Sequence, residues 1–232
     1  MTNQGSDQNS SDCDLIMASS SPRRIEIFNA HGLYPVVIPA EIDEQIPVCL
    51  GVQQAVMFLA LKKALWVEQS LQQTQFSPAD NPRIYNTAAE ALKCPETRIR
   101  DFYEPVYIIA ADTVVYKDGI IGKPSDYADA VRILNYLKAT DHLVYTGVAI
   151  IKSNEKKRRL FYEVTKVFFK DYMTADLHAY LHSEEPYDKA GAYAIQGAFG
   201  RFIDRIDGDR DNVIGFPWNR FHSEFMHLKK PL

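Results

Sequence analysis

Val106-Tyr107-Ile108-Ile109-Ala110-Ala111-Asp112-Thr113-Val114-Val115 decides the fold. It is a continuous apolar run without the polar alternation of a half-exposed strand, and it predicts a core strand covered on both faces. Asp112 breaks the run in its middle. A carboxylate in a covered strand is costly without a partner, so Asp112 is read as a site residue in preference to a structural one bonded to backbone.

Elements alternate on either side of this strand. Downstream, Lys117-Asp118-Gly119 forms a hairpin-type turn returning through Ile120 to Lys123-Pro124. Ser125 or Asp126 caps a helix to about Lys138, with Ala130, Ile133, Leu134 and Leu137 as its buried stripe. Strands follow over His142 to Ile151 and Leu160 to Phe169, then a helix from a Thr174 cap to about His182. A polar, glycine-containing loop spans Glu184 to Gly200, Phe202 to Ile206 is a short strand, and Asp207 to Pro217 turns into a last helix ending near Leu228.

Upstream, Leu15 to Ala18 ends a first strand. A helix runs from Pro22 to Ala30, with Ser21 as its cap and Gly32 just past its end. Tyr34 to Pro39 reads as an edge or terminal strand, because its prolines cannot donate to a ladder. Val52 to Glu68 is a helix apolar nearly all round, interrupted by Lys62 and Lys63, and periodicity does not choose which lysine points inward. Residues 69–104 read as an insertion or long loop, with a short helix at Thr87 to Lys93, and residues 1–13 as a disordered polar tail. The whole predicts an α/β fold with a mixed central sheet flanked by helices.

Bulk properties limit the function. The 232 residues carry a net charge of −4, which excludes a general polyanion-binding surface and makes any phosphate chemistry local. Lys156 to Arg159 (KKRR) is accordingly read as a solvated hairpin tip, and no nucleic-acid partner is expected. Cys13, Cys49 and Cys94 fit neither a disulfide framework nor a zinc pattern. No signal-peptide core and no apolar run near the ~18 residues of a membrane span occur. A cytoplasmic protein without a membrane partner is expected.

Several patterns fail on inspection. Gly119 to Ser125 (GIIGKPS) lacks the first glycine of a P-loop and its metal-binding hydroxyl. His178 and His182 have metal-site spacing, but Ala179 stands where a zinc protease needs Glu, and they are taken as ordinary helix residues. Asp207, Asp209 and Asp211 start like a calcium loop, but Asn212 replaces its glycine. Ala18-Ser19-Ser20-Ser21-Pro22-Arg23-Arg24 fares better: hydroxyls, a helix start and two guanidinium groups attract phosphate. On spacing alone, an exposed cap with two solvated arginines stays open. Glu41, Asp43 and Glu44 read either as a solvated turn or as a metal or proton-handling site. Ser19, Ser21, Arg23, Arg24, Lys123 and Lys63, with Asp112 and Glu44, form a set suited to metal-assisted phosphoryl chemistry.

In order along the chain, these segments resemble the signatures of the Maf family of nucleotide pyrophosphatases: Ala18 to Arg24, Asp43-Glu44, Leu59-Ala60-x-x-Lys63-Ala64, Ala111 to Val115 and Gly122-Lys123-Pro124. His142 with Thr146-Gly147-Val148, Asp188 to Tyr193, Ile195-Gln196-Gly197 and Asn212 to Pro217 complete the series. The resemblance covers residues 14–228 apart from the 69–104 insertion, within one catalytic domain over 14–232. It implies an inosine triphosphate pyrophosphatase-like fold, with two lobes around a substrate cleft, and a homodimer as an open assembly. It implies hydrolysis of a nucleoside triphosphate between the α and β phosphates with Mg²⁺ or Mn²⁺, and Asp112 as the proton acceptor that activates water. Lys63, Lys123 and Glu44 join it in catalysis, with Glu44 and Asp112 as metal-site positions. Ser19, Ser21, Arg23, Arg24, Thr113 and Gln196 bind substrate. Arg23, Thr113 and Gln196 match the dTTP/UTP type rather than the 7-methyl-GTP type, which is kept as the alternative. Arg24 is assigned to phosphate and Arg23 to choice of nucleotide.

The chain departs from the family in losing a glycine before His142, in carrying Phe216 for Leu, and in the length of the insertion. A competing reading is a nucleotide-binding regulator of cell division that senses without turnover. The intact Asp112, Glu44 and Lys63 argue against it.

Overall fold

The computed structural model describes residues 15–73, 106–153, 155–183 and 185–230. Its elements are β1 (Leu15–Met17), α1 (Pro22–Ala30), β2 (Val36–Val37), α2 (Val52–Gln73), β3 (Tyr107–Tyr116), β4 (Ile120–Ile121), α3 (Tyr127–Leu137), β5 (Asp141–Lys152) and β6 (Arg158–Phe169). Then come α4 (Thr174–Leu181), 3-10 turns at Ala190–Ala192 and Ala198–Phe202, β7 (Ile203–Asp207), α5 (Arg210–Ile214) and α6 (Trp218–Lys229). Among the described residues the sheet runs β2-β1-β3-β5-β6-β7, with β4 beside the end of β3. β1 is parallel to β2 and β3, and the other pairings are antiparallel. The fold is therefore α/β with a mixed central sheet flanked by helices, and β2, flanked by Pro35 and Pro39, takes an edge.

β3 is covered on both faces as its composition demands. Tyr107, Ile109, Ala111 and Val115 pack with α1 and α3 to α6, while Ile108 and Ala110 pack with Ala60, Ala64 and Val67 of α2. Strand alternation then puts Asp112 on the α2 face and Thr113 on the other. Gly147 of β5 lies opposite Asp112, and a Cβ there would stand 2.3 Å from the backbone carbon of Val56. The missing side chain lets α2 rest directly on the sheet beside Asp112.

The sheet has a gap. β1 pairs with β3 only up to Met17 opposite Ile109, and β4 resumes the pairing at Val115. On that side, Ala110 to Val114 have no strand neighbour among the described residues. The Ala18-to-Ser21 turn leaves β1 at this point and leads into α1. The turn is fixed because Phe28 of α1 sits in an aromatic cluster with Phe216, Trp218 and Phe221, its ring 4.9 Å from that of Phe216. Phe216 is thus absorbed by packing.

Some sequence expectations change. The helix from Val52 continues to Gln73, because Val67 and Leu71 extend its apolar face, so residues 69–73 belong to α2 and not to an insertion. Ser21 holds the N-cap position of α1 but makes no side-chain cap bond. Met173, not Thr174, precedes α4, and Thr174 is its first helical residue. The turn before the last helix contains α5, capped by Asp209 through the backbone N–H of Asp211. Lys156, Arg158 and Arg159 are exposed at the β5–β6 hairpin, as expected of a solvated tip, with Arg158 and Arg159 at the start of β6 and Arg158 reaching Glu68 at 2.9 Å. Ala139, three residues before His142 where the family's pattern has glycine, adopts φ +53°. The left-handed turn is therefore kept without glycine, at a steric cost. The tail over 1–13, residues 74–104 of the expected insertion with the helix at Thr87 to Lys93, and Cys13 and Cys94 lie outside the described residues. No helix among the described residues is long and apolar enough to cross a membrane.

Candidate active site

A cavity of about 400 Å³ opens at the gap in the sheet. A second recess of about 390 Å³, lined by Ala18 to Arg24, adjoins it, and the two share Ser21, Arg23, Arg24, Glu44, Lys63, Lys123 and Asp188. Apolar side chains, among them Ile46, Leu59, Val144, Tyr193 and Val213, also line the first recess. Five cations (Arg23, Arg24, Lys63, Lys123 and Lys189) face three carboxylates (Glu44, Asp112 and Asp188) across the cavity. In a chain of net charge −4 this is a local excess of positive charge, suited to a polyanion with an apolar head.

On the α2 side, Lys63 bridges two acids. Its Nζ lies 2.6 Å from Asp112 Oδ1 and 2.7 Å from Glu44 Oε1. Lys63 is the inward lysine. Lys62 instead donates to the backbone oxygen of Asp43, so both lysines tie the 41–46 loop to α2. Burial pushes the Asp112 carboxyl above the ordinary carboxylate range, against the charge and bond of Lys63. Burial works the same way on Glu44 but loses there, because the bond and charge of Lys63, with Lys123 and Arg24, hold it below that range. One ammonium group thus serves two carboxylates whose proton affinities have been driven apart.

On the other face Arg24 is buried and fully braced. Its Nε donates to Gly215 O at 2.9 Å, Nη1 to Ser19 Oγ at 2.9 Å and Nη2 to Thr113 Oγ1 at 3.1 Å. Burial pulls its guanidinium below its ordinary pKa, opposed by the charge of Asp112. Gly215 adopts φ +125°, which glycine alone takes readily, and this turn aims its carbonyl at Arg24. Arg23, on the preceding helical position, is half-buried and lines both recesses without such bracing.

Of the residues singled out from sequence, Ser21, Arg23, Arg24, Glu44, Lys63, Asp112, Thr113 and Lys123 line the main cavity, and Ser19 lines the adjoining one. Gln196 is exposed and lines neither. It follows the buried Ala194 and Ile195 in the loop. Asp188, Lys189, Tyr193 and Gly215 also line the cavity, and the Gly215 carbonyl holds Arg24. None of them was singled out individually from sequence, although Asp188 to Tyr193 and Asn212 to Pro217 stand among the family-like segments. The Tyr193 hydroxyl bonds His142 Nε2 at 2.7 Å, which accounts for His142 as a buried support.

No three His, Cys, Asp or Glu side chains converge on a metal position among the described residues. Lys63 uses one oxygen of each carboxylate, Oδ1 and Oε1, and leaves Asp112 Oδ2 and Glu44 Oε2. Mg²⁺ is commonly held by one or two carboxylates plus substrate phosphates and water, so this pair fits such an ion better than a cage of protein ligands would.

The family model described as "Maf-like protein" matches residues 14–228. A protein named dTTP/UTP pyrophosphatase from Geobacillus sp. (strain WCH70) is 38% identical over 215 residues, covering 92% of this chain and 97% of the relative. One of the same name from Caldicellulosiruptor bescii is 37% identical over 209 residues, 90% of this chain and 91% of the relative. A human protein named probable bifunctional dTTP/UTP pyrophosphatase/methyltransferase protein is 35% identical over 94% of this chain and 32% of its own length. Among solved structures, the Staphylococcus aureus Ham1 protein aligns at 16% identity and TM-score 0.43 over 93% of this chain and 99% of that one.

Proposed function

The chain belongs to the Maf family, and we propose that it hydrolyses dTTP or UTP between the α and β phosphates, giving the monophosphate and pyrophosphate. The observation that carries the mechanism is the split pair on Lys63. Glu44 is held ionised, while Asp112, raised by burial, is the better proton acceptor of the two.

In this reading the triphosphate lies along the cation-rich seam and the base against apolar side chains of the same cavity. Arg24 meets phosphate oxygens with the guanidinium N–H groups left after its three internal bonds. Lys123 adds a point charge from the exposed turn after β4. Asp112 takes a proton from the attacking water as its oxygen bonds phosphorus. The bridging P–O bond breaks, and its electron pair leaves on pyrophosphate. Lys63 holds Asp112 and Glu44 in place and offsets their charge. Mg²⁺ or Mn²⁺ would be held by Glu44 and Asp112, and when bound it neutralises charge on the phosphates. Arg23, Thr113 and Gln196 select the nucleotide. Because Gln196 is exposed and outside the cavity walls, its part requires movement of the 184–200 loop. The local charge excess supports a free nucleotide, not a nucleic acid, as the partner, with the protein acting in the cytoplasm as a monomer or a homodimer.

The test is release of pyrophosphate from a nucleotide panel by purified protein with Mg²⁺ or Mn²⁺. Turnover of dTTP and UTP is expected, and Asp112→Asn is expected to cost about 10²–10⁴-fold, as for loss of a general base. Wild type and variant equally inactive across the panel would overturn the proposal. Saturable binding without turnover would favour the sensing role instead.

A further inference from the structure

A buried chain of hydroxyl and amide groups runs behind Arg24, and none of its members beyond Thr113 has been given a role. Thr113 Oγ1 accepts from Arg24 Nη2 and lies 2.9 Å from Thr146 Oγ1, directly across the β3–β5 register. Thr146 donates to Asn212 O at 3.2 Å. Asn212 Nδ2 in turn donates to Thr165 Oγ1 at 3.0 Å. Thr146 and Asn212 are wholly excluded from solvent and Thr165 is 1% exposed.

Donor and acceptor chemistry orients this chain. A backbone carbonyl only accepts, so the Thr146 proton goes to Asn212 O. The proton between the two threonines is then that of Thr113, and its oxygen faces Arg24 as an acceptor. The alternative end-point for the Thr113 proton is Gly215 O, which is farther at 3.4 Å and already accepts from Arg24 Nε. Thr146 therefore keeps Thr113 turned so that both ends of the guanidinium stay anchored, with the remaining N–H groups facing the cavity.

We propose that Thr146 is a positioning residue for phosphate binding, acting on Arg24 through the hydroxyl of Thr113. The proposal rests on the phosphate role given to Arg24 above, but it is read without turnover. Without the Thr146 hydroxyl, Thr113 rotates toward Gly215, competes with Arg24 Nε for the same carbonyl and loosens the guanidinium.

The experiment is calorimetric titration of the full chain with inorganic pyrophosphate and Mg²⁺. Thr146→Val is expected to weaken affinity about fivefold, the size of one lost buried hydrogen bond. Thr146→Ser, which restores the hydroxyl, is expected to stay within about twofold of wild type. Thr165→Val removes the same group one strand further on, and is expected to lower the melting temperature comparably while leaving affinity unchanged. Thr146→Ala replaces Thr146→Val if the latter does not fold. Equal weakening by the changes at Thr146 and Thr165, no weakening by Thr146→Val, or no rescue by Thr146→Ser would overturn the proposal. So would wild-type protein that does not bind pyrophosphate. Wild type that binds pyrophosphate but turns over no nucleotide defeats the proposed function alone, since the affinities still decide the role of Thr146.

Discussion

Asp112 and Thr113 are adjacent on β3, yet they belong to two different chemistries. The α2 face carries Asp112, Lys63 and Glu44, an ionised group with short charge-assisted bonds. The opposite face carries Thr113, Thr146, Asn212 and His142, which are neutral and bonded mainly to one another and to backbone. In the proposed mechanism the thickness of one sheet separates groups that change protonation from groups that do not. The pH response of the first face would then be read in catalysis, and that of the second in stability.

The comparison can be broken most directly at Lys63. Lys63→Met removes the cation between two acids, and kcat/KM is expected to fall about 10²–10³-fold, as when one charge-stabilising donor is lost from an active site. Burial already holds Asp112 above the usual range, and loss of its opposing cation raises it further. The acid limb of the kcat/KM–pH profile should therefore move to higher pH, and a limb that stays put would remove Asp112 from the role of base.

Gly147→Ala tests the α2 face mechanically. The added Cβ would meet the Val56 backbone at 2.3 Å, so α2 and Lys63 must shift. A loss of roughly 1–3 kcal/mol in denaturant unfolding is expected, together with reduced activity. Full activity would mean that Lys63 tolerates displacement.

On the opposite face, burial drives His142 from 6.5 to about 3. Its contribution to stability is present above the unfolded value of 6.5 and is lost as pH falls from there toward 3. Between pH ~6.5 and ~5, above the ordinary carboxylate range, wild type should lose up to about 1.4 kcal/mol per pH unit from this one proton. His142→Gln keeps a partner for Tyr193 and should flatten that slope, read as stability against pH.

The smallest effect is expected at the turn entering β5. Ala139→Gly relieves a left-handed backbone conformation and should add roughly 0.5–1 kcal/mol, less the entropy that glycine regains on unfolding. Kinetics should not change.

Much of this was legible from residue order. The apolar run of β3, the periodic stripe of α3 and the proline start of α1 are local signals, and they formed the elements expected of them. Element ends were less legible. Gln72 and Gln73 look like loop composition, but the apolar face carried by Val67 and Leu71 keeps the helix going. Ser21 and Thr174 are good caps by residue type, yet neither makes a cap bond, because capping depends on local backbone direction. The site was legible as a set of residue types and not as a geometry. Lys62 and Lys63 could not be told apart by periodicity on a helix apolar all round, and Arg23 and Arg24 were divided only by the family resemblance, not by their spacing.

Residue order alone settles which side chains could bear charge chemistry and that one carboxylate stands inside a covered strand. Those conclusions need only composition, periodicity and the cost of burying charge. Only the tertiary structure decided that β1 stops short and leaves a gap in the sheet. The same holds for Gly147 admitting α2 to the surface of β5, for Lys63 falling between Asp112 and Glu44, and for the Gly215 carbonyl bracing Arg24 from 191 residues away. Such contacts depend on strand register and on the closest approach of backbones, and nothing in the neighbouring sequence of either partner encodes them.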